Sequence, residues 1–146
     1  MTTMDEPTGS RPLAKQDFEE LSRFRFAIRR YLRFSEETVR SYGVTSQHYQ
    51  LLLALKGFPG RDWATIRELA ERLQLRHHSV VELINRAQTK GLVARVAHPT
   101  DKRAVRVVLT PDGETVLARL STLHREELRR MNSAFQPPSW SKPAEE

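Results

Sequence analysis

The chain has 146 residues, a length that suits one compact domain and leaves no room for a cofactor fold paired with a substrate fold. Apolar residues make up 38% and charged residues 29%, with a mean hydropathy of −0.58, so a modest core inside a charged shell is expected rather than disorder. Cysteine is absent, which excludes disulfides, thiolate nucleophiles and cysteine-ligated zinc, and 24 Lys and Arg against 18 Asp and Glu give a net charge of +6 that favours an anionic partner.

Residues 1–16, rich in Thr, Pro, Gly and Ser, read as a flexible tail, and 133–146 with Pro137, Pro138 and Pro143 read as another. Neither the N-terminus nor any later run has the apolar stretch of a secretion signal or of a membrane span, so a soluble cytoplasmic protein without membrane contact is expected. From Asp17 to about Ser41 there is no Gly or Pro, and Phe18, Leu21, Ile28, Leu32, Val39 and Tyr42 fall near one helical stripe that Phe24, Tyr31 and Phe34 broaden. A stripe that wide predicts two packing partners. Gly43 stops this helix and Thr45 caps a second, Ser46 to Lys56, whose run Leu51 to Leu55 is apolar on most sides and therefore central.

Trp63 to Thr65 reads either as a short strand or as a cap, before a short third helix carrying Ile66, Leu69, Ala70 and Leu73. Gln74 and Leu75 alone separate it from a fourth helix, Arg76 to Lys90, with inward Val80, Leu83, Ile84 and Ala87 and a stop at Gly91. Two β-rich runs follow, Leu92 to Ala97 and Ala104 to Leu109, joined by His98 to Arg103 as a hairpin with a basic tip. Thr110 as N-cap and Pro111 at the first position open a last helix to about Met131, with a stripe of Val116, Leu117, Leu120, Leu123, Leu128 and Met131. The fold class is mainly α with a small antiparallel β-hairpin, an α+β winged helix-turn-helix.

Each part of that arrangement has a task on double-stranded DNA. The fourth helix fits a major groove about 12 Å wide and offers Arg76, His77, His78 and Ser79 from its first turns to base edges, while Arg86 and Lys90 further along suit phosphates. At the wing tip Arg103 suits the negative potential of a minor groove, Asp101 holds its guanidinium by a salt bridge, and Lys102 faces phosphate. From Arg76 to Arg106 seven basic residues stand against Glu82 and Asp101, so +5 of the chain's charge sits in this segment. For His77 and His78 a shared metal site is disfavoured, because adjacent helical residues point apart. No esterase, phosphate-loop or zinc-protease motif is present, so neither an enzyme nor a cofactor is expected.

The run D-K-R-A-V-R-V-V-L-T-P-D-G from Asp101 to Gly113 resembles the D-x-R-x(5)-L-T-x-x-G signature of the MarR family of bacterial transcription regulators. The preceding R-H-H-S-V-V-E-L-I-N-R-A-Q-T-K-G-L-V is similar to that family's recognition helix and following strand, and the resemblance extends over about residues 20 to 131. It implies a homodimer in which 17–44 and 112–132 supply interlocking helices, with 45–111 as the winged lobe of one domain spanning 17–132. It further implies a repressor that binds a pseudo-palindromic operator and lets go when a small aromatic or phenolic effector binds between the dimer helices and the lobe. Two long apolar terminal helices in so small a domain also call for a second copy.

Tyr31, Phe34, Ser35 and His48 are the candidate effector residues, with core packing as the alternative for the aromatics. Glu82, on the outward face of the recognition helix where the family often carries a neutral or basic residue, either accepts from cytosine, pairs with Arg86, or points sideways. Arg23, Arg25, Arg29, Arg30 and Arg33 interleave with Glu19, Glu20, Glu36 and Glu37 as a solvated face. A different class of function, a winged-helix module for protein interaction without specific DNA binding, stands as the alternative.

Overall fold

The computed structural model describes residues 11–141, and the readings made on 1–10 and 142–146 lie outside it. Helix α1 runs over Lys15–Ser41, α2 over Ser46–Lys56, strand β1 over Trp63–Thr65, α3 over Ile66–Leu73, α4 over His77–Thr89, β2 over Val93–Ala97, β3 over Val105–Leu109 and α5 over Pro111–Arg130. A short 3-10 turn, Ser139–Ser141, follows. The mainly helical class holds, and the hairpin gains a third strand. β1 pairs antiparallel with β3, giving the order β1-β3-β2, with Ala64 opposite Val107 and Arg95 opposite Val107 on the other side. Both readings of Trp63 to Thr65 apply at once, since Thr65 ends the strand and also caps α3, accepting from the Glu68 amide.

The core lies where α2 is enclosed by its neighbours. Leu51, Leu52 and Leu55 are fully buried with Val39 of α1, Leu69 of α3, Val80 and Ile84 of α4, Val107 of β3 and Leu120 of α5. Burying several such side chains at about 25 cal/mol per Å² of apolar area makes this cluster the main support of the lobe.

Three points differ from the sequence reading. Helix α1 begins at Lys15 rather than Asp17, because Asp17 sits in its first turn, accepts the Ala14 amide at 2.8 Å and binds the Arg11 guanidinium at 2.5 and 2.7 Å. Those bonds hold the Asp17 carboxyl down at about 2, the Arg11 bond first and the Ala14 amide second. The described part of 133–146 returns to α1: the Phe135 ring packs 5.9 Å from Phe24 and 5.8 Å from Tyr31, and the Ser139 hydroxyl donates to Glu20 at 3.1 Å. On α5 the inward position is His124, 3% exposed, while Leu123 is only half-buried. The spacing 117, 120, 124 places the histidine on the buried face that an apolar-only stripe assigned to Leu123.

Candidate nucleic-acid interface

The turn between α3 and α4 is made by Gln74 in the left-handed region (φ 53°) and by the Leu75 amide bonding Ala70 O at 3.0 Å. Arg76 then takes the extended N-cap conformation with no side-chain cap bond, and Arg76, His77 and His78 are exposed while Ser79 is half-buried and Val80 is in the core. The first turn of α4 therefore presents its side chains outward because Val80, Leu83, Ile84 and Ala87 fix its other face. Arg86 is exposed and donates from Nε to the Glu82 carbonyl at 3.4 Å, not to its carboxylate, so the pairing considered for Glu82 does not form.

The wing tip is shaped by two side chains. His98 Nδ1 accepts the amides of Thr100 and Asp101 at 3.2 and 3.1 Å, and Asp101 Oδ1 accepts the Arg103 amide at 3.0 Å. This corrects the expected salt bridge: two residues apart in a tight turn, the carboxylate reaches the backbone N–H of Arg103, and the guanidinium stays free of it. Lys102 and Arg103 are exposed, with no side-chain partner among the described residues. Lys90, expected on phosphate, instead donates from Nζ to the Gly43 carbonyl at 2.7 Å, tying the end of α4 to the turn after α1.

Sequence reasoning missed what holds this surface together. Arg95 of β2 donates to Asn85 Oδ1 at 2.6 Å and to Gln88 Oε1, fastening the wing to α4. At the base of the sheet the Arg61 guanidinium lies 4.1 Å over Phe58 and 3.9 Å over Trp63, with Arg106 3.7 Å over the same Trp63 ring and His98 edge-on to it at 6.1 Å. Arg61 also pairs with Glu68. Burial works to raise the Glu68 carboxyl, but bonds from the Thr65 amide, Arg61 and the Thr65 hydroxyl outweigh it and hold the group below its ordinary value. The interleaving of Phe58, Arg61, Trp63 and Arg106 was visible in the sequence only as scattered residue types, since their contacts span a loop and a strand pairing.

The four effector candidates do not converge. Ser35 Oγ lies 2.7 Å from His124 Nε2, both residues buried, and Tyr31 and Phe34 meet the His124 ring edge-on at 5.9 and 5.7 Å. His124 Nδ1 donates to Leu120 O at 2.6 Å, and the ring stacks on Tyr49 at 4.5 Å. Tyr31, Tyr49 and His124 line a cleft of about 700 Å³ together with Arg125, Leu128 and Arg129 of α5. Burial, with Tyr49 adding to it, raises the Tyr31 hydroxyl above its ordinary value. His48 stands apart from this cleft, at the start of α2, where its Nδ1 accepts the Thr45 amide at 3.3 Å. It lies in the first turn of α2, a position set by capping rather than by the apolar run beside it.

The family model described as MarR family matches residues 42–104, from the end of α1 to the wing. An uncharacterized HTH-type transcriptional regulator of Bacillus subtilis, YsmB, is 37% identical over 84 residues, which are 53% of this chain and 58% of that one. The chain spans less than two thirds of the length of the curated relatives it matches. Among solved structures, AbsC, a MarR family transcriptional regulator from Streptomyces coelicolor, superposes with a TM-score of 0.70 at 22% identity over 88% of this chain and 86% of that one. A mutant of MarR from E. coli complexed with operator DNA superposes at 0.63 with 21% identity over 82% and 84%. The signature residues from Asp101 to Gly113 and the lobe they close agree with these matches: residues 42–104 resemble the MarR family, and the chain shares the fold of the MarR structures.

Proposed function

We propose that this chain is a homodimeric, sequence-specific DNA-binding transcription regulator of the cytoplasm, acting as a repressor that a small aromatic molecule releases from a pseudo-palindromic operator. The carrying observation is that Arg76 at the start of α4 and Lys102 and Arg103 at the wing tip are exposed cations without side-chain partners among the described residues, on one lobe whose 76–106 segment holds a net +5. In this reading Arg76, His77, His78 and Ser79 meet base edges in the major groove, Arg103 enters the minor groove, and Lys102 and Arg86 meet phosphates. The operator-bound MarR structure, whose fold this chain shares, supports the same use of the lobe.

The dimer rests on α1. Phe18 (54% exposed), Phe26 (58%) and Leu32 (57%) leave large apolar surface uncovered, more than an isolated soluble helix face carries without a partner. A twofold copy covers it and sets two recognition helices about 34–36 Å apart, on successive major grooves. The effector reading rests on the Tyr31–Tyr49–His124 cleft, whose aromatic walls and two arginines, Arg125 and Arg129, suit an aromatic acid.

The experiment is operator selection from a genomic DNA pool followed by gel-shift titration. Affinity falls steeply with salt, because each neutralised phosphate releases counterion. Arg103→Ala weakens operator binding about tenfold or more, as loss of one groove-reading arginine does, while sedimentation still reports the dimer. An affinity unchanged by that substitution and by salt sinks the reading.

A further inference from the structure

A second cleft, of about 340 Å³, opens where the end of α1, the start of α2 and the middle of α4 meet. Its walls carry Arg40 of α1, Ser46, Gln47 and His48 of α2, and Leu83 and Arg86 of α4. Alongside the Glu36 carboxylate and the Thr45 hydroxyl, the cleft gathers several donors. The amides of Ser46 and Gln47 occupy the first two positions of α2 and have no acceptor among the described residues, whereas the next amide, that of His48, is taken by Thr45 Oγ1 at 3.1 Å. These orphan donors carry the partial positive charge of the helix end.

His48 adds an independent sign. The residue is 3% exposed, its Nδ1 accepts the Thr45 amide, and the ring hydrogen therefore sits on Nε2, a buried atom with no partner among the described residues. A buried donor left unpaired is unfavourable, and an acceptor placed at this point would relieve it. Burial and then the charges of Lys90 and Arg86 push the ring below its ordinary value, keeping it neutral as that donor. Among the described residues Arg86 makes one side-chain bond, from Nε, and its terminal nitrogens find no partner. The charges facing the cleft are Arg40, Arg86 and one carboxylate, Glu36, which Arg40 already holds at 3.2 Å.

Two amides, a ring N–H and a guanidinium around one hollow complement oxygens that carry negative charge, and we infer that this cleft binds an oxyanion, a phosphate or carboxylate group. The site is distinct from the Tyr31 cleft and shares only Arg86 with the DNA reading, the rest of it coming from the end of α1 and the start of α2. Such an occupant bridges Arg40 and Arg86, and so joins the long terminal helix to the recognition helix. Its oxygens have two sources, a free small anion or a phosphate of a DNA backbone, and the test separates them.

The test is a titration of the isotope-labelled full chain with inorganic phosphate, and separately with butyrate, at constant ionic strength against chloride. The expected result is a saturable shift of the Ser46 and Gln47 amide signals and of the His48 ring N–H. Ser46→Pro removes one donor where proline is tolerated, because Thr45 before it is already extended (φ −92°, ψ 161°), and it weakens binding about tenfold, the worth of one charge-assisted bond. Arg86→Gln, at an exposed side chain, does the same without touching the helix start. Absence of a saturable shift in the wild type, or wild-type binding by both variants, overturns the oxyanion site. A short duplex added in place of phosphate distinguishes the sources: the same amide shifts, lost in Ser46→Pro, assign a backbone phosphate, and unshifted Ser46 and Gln47 signals with phosphate still binding assign a free anion.

Discussion

His124 shows how a single polar residue can organise the junction between the terminal helices and the lobe. Both ring nitrogens are engaged, Nδ1 with Leu120 O and Nε2 with Ser35, while Tyr49, Tyr31 and Phe34 surround the ring. Ser35→Ala leaves Nε2 buried without a partner and lowers stability by about 1–3 kcal/mol in chemical denaturation, with Ser35→Thr retaining the bond and losing less. His48 makes a pH-dependent contribution of a different kind. Its folded value lies below the ordinary one, so the unfolded chain binds the proton more readily. That contribution is complete above about pH 6.5 and is lost as pH falls through the folded value. Thermal melts at pH 7.5 and 5 are therefore expected to differ, and the difference to shrink in His48→Gln. Asp17, with its carboxyl at about 2, plays no part in that window, because its contribution fades only in stronger acid.

Among the elements, the family signature has a mechanical reading. Thr110 caps α5 by accepting the Gly113 amide at 3.0 Å, donates its hydroxyl to Gly91 O at 2.5 Å, and its amide bonds Leu92 O at 3.1 Å, so one residue joins the end of α4, the start of β2 and the start of α5. Gly113 is required because a Cβ there would lie 2.0 Å from the Leu92 carbonyl oxygen. Gly113→Ala gains about 1 kcal/mol of helix propensity and loses more than that to the backbone clash, so the expected outcome is a net loss of about 1–3 kcal/mol and a Tm lower by several degrees. The helices were legible because α2 to α5 carry unambiguous 3.6-residue spacing between residues such as Leu69 and Leu73, bounded by Thr45, Gly91 and Thr110. The third strand was ambiguous because three residues, Trp63 to Thr65, show no period at all. The exposed residues proposed to face DNA could be named from the chain, yet the hydrogen bonds of Asp101 and Lys90 could not. A carboxylate near a turn has both an amide and a guanidinium within reach, and Lys90 finds Gly43, which stands 47 residues away.

At the scale of the whole molecule, the proposed dimer is open to a direct check. Leu32 projects from α1 at 57% exposure, so Leu32→Glu costs little in an isolated chain and much in a covered one. The wild type is expected to elute as a dimer by light scattering and Leu32→Glu as a smaller species with weakened operator binding. A monomeric wild type removes the paired-groove arrangement. The surface ion pairs, such as Lys56 with Glu114 and Arg33 with Glu37, contribute little to that balance, since exposed pairs are worth about 0–1 kcal/mol each.

The clasp from Arg95 to Asn85 and Gln88 has a consequence for any duplex the lobe engages. With the strand tied to the helix, in the proposed DNA complex the clasp resists an independent change in the pitch of the wing and favours a fixed offset between the bases beneath α4 and the groove beneath Arg103. For the proposed dimer, sequence variation among target sites is then expected to be confined in phase: the stretch read by one half keeps its length, and the gap between the two halves is what changes.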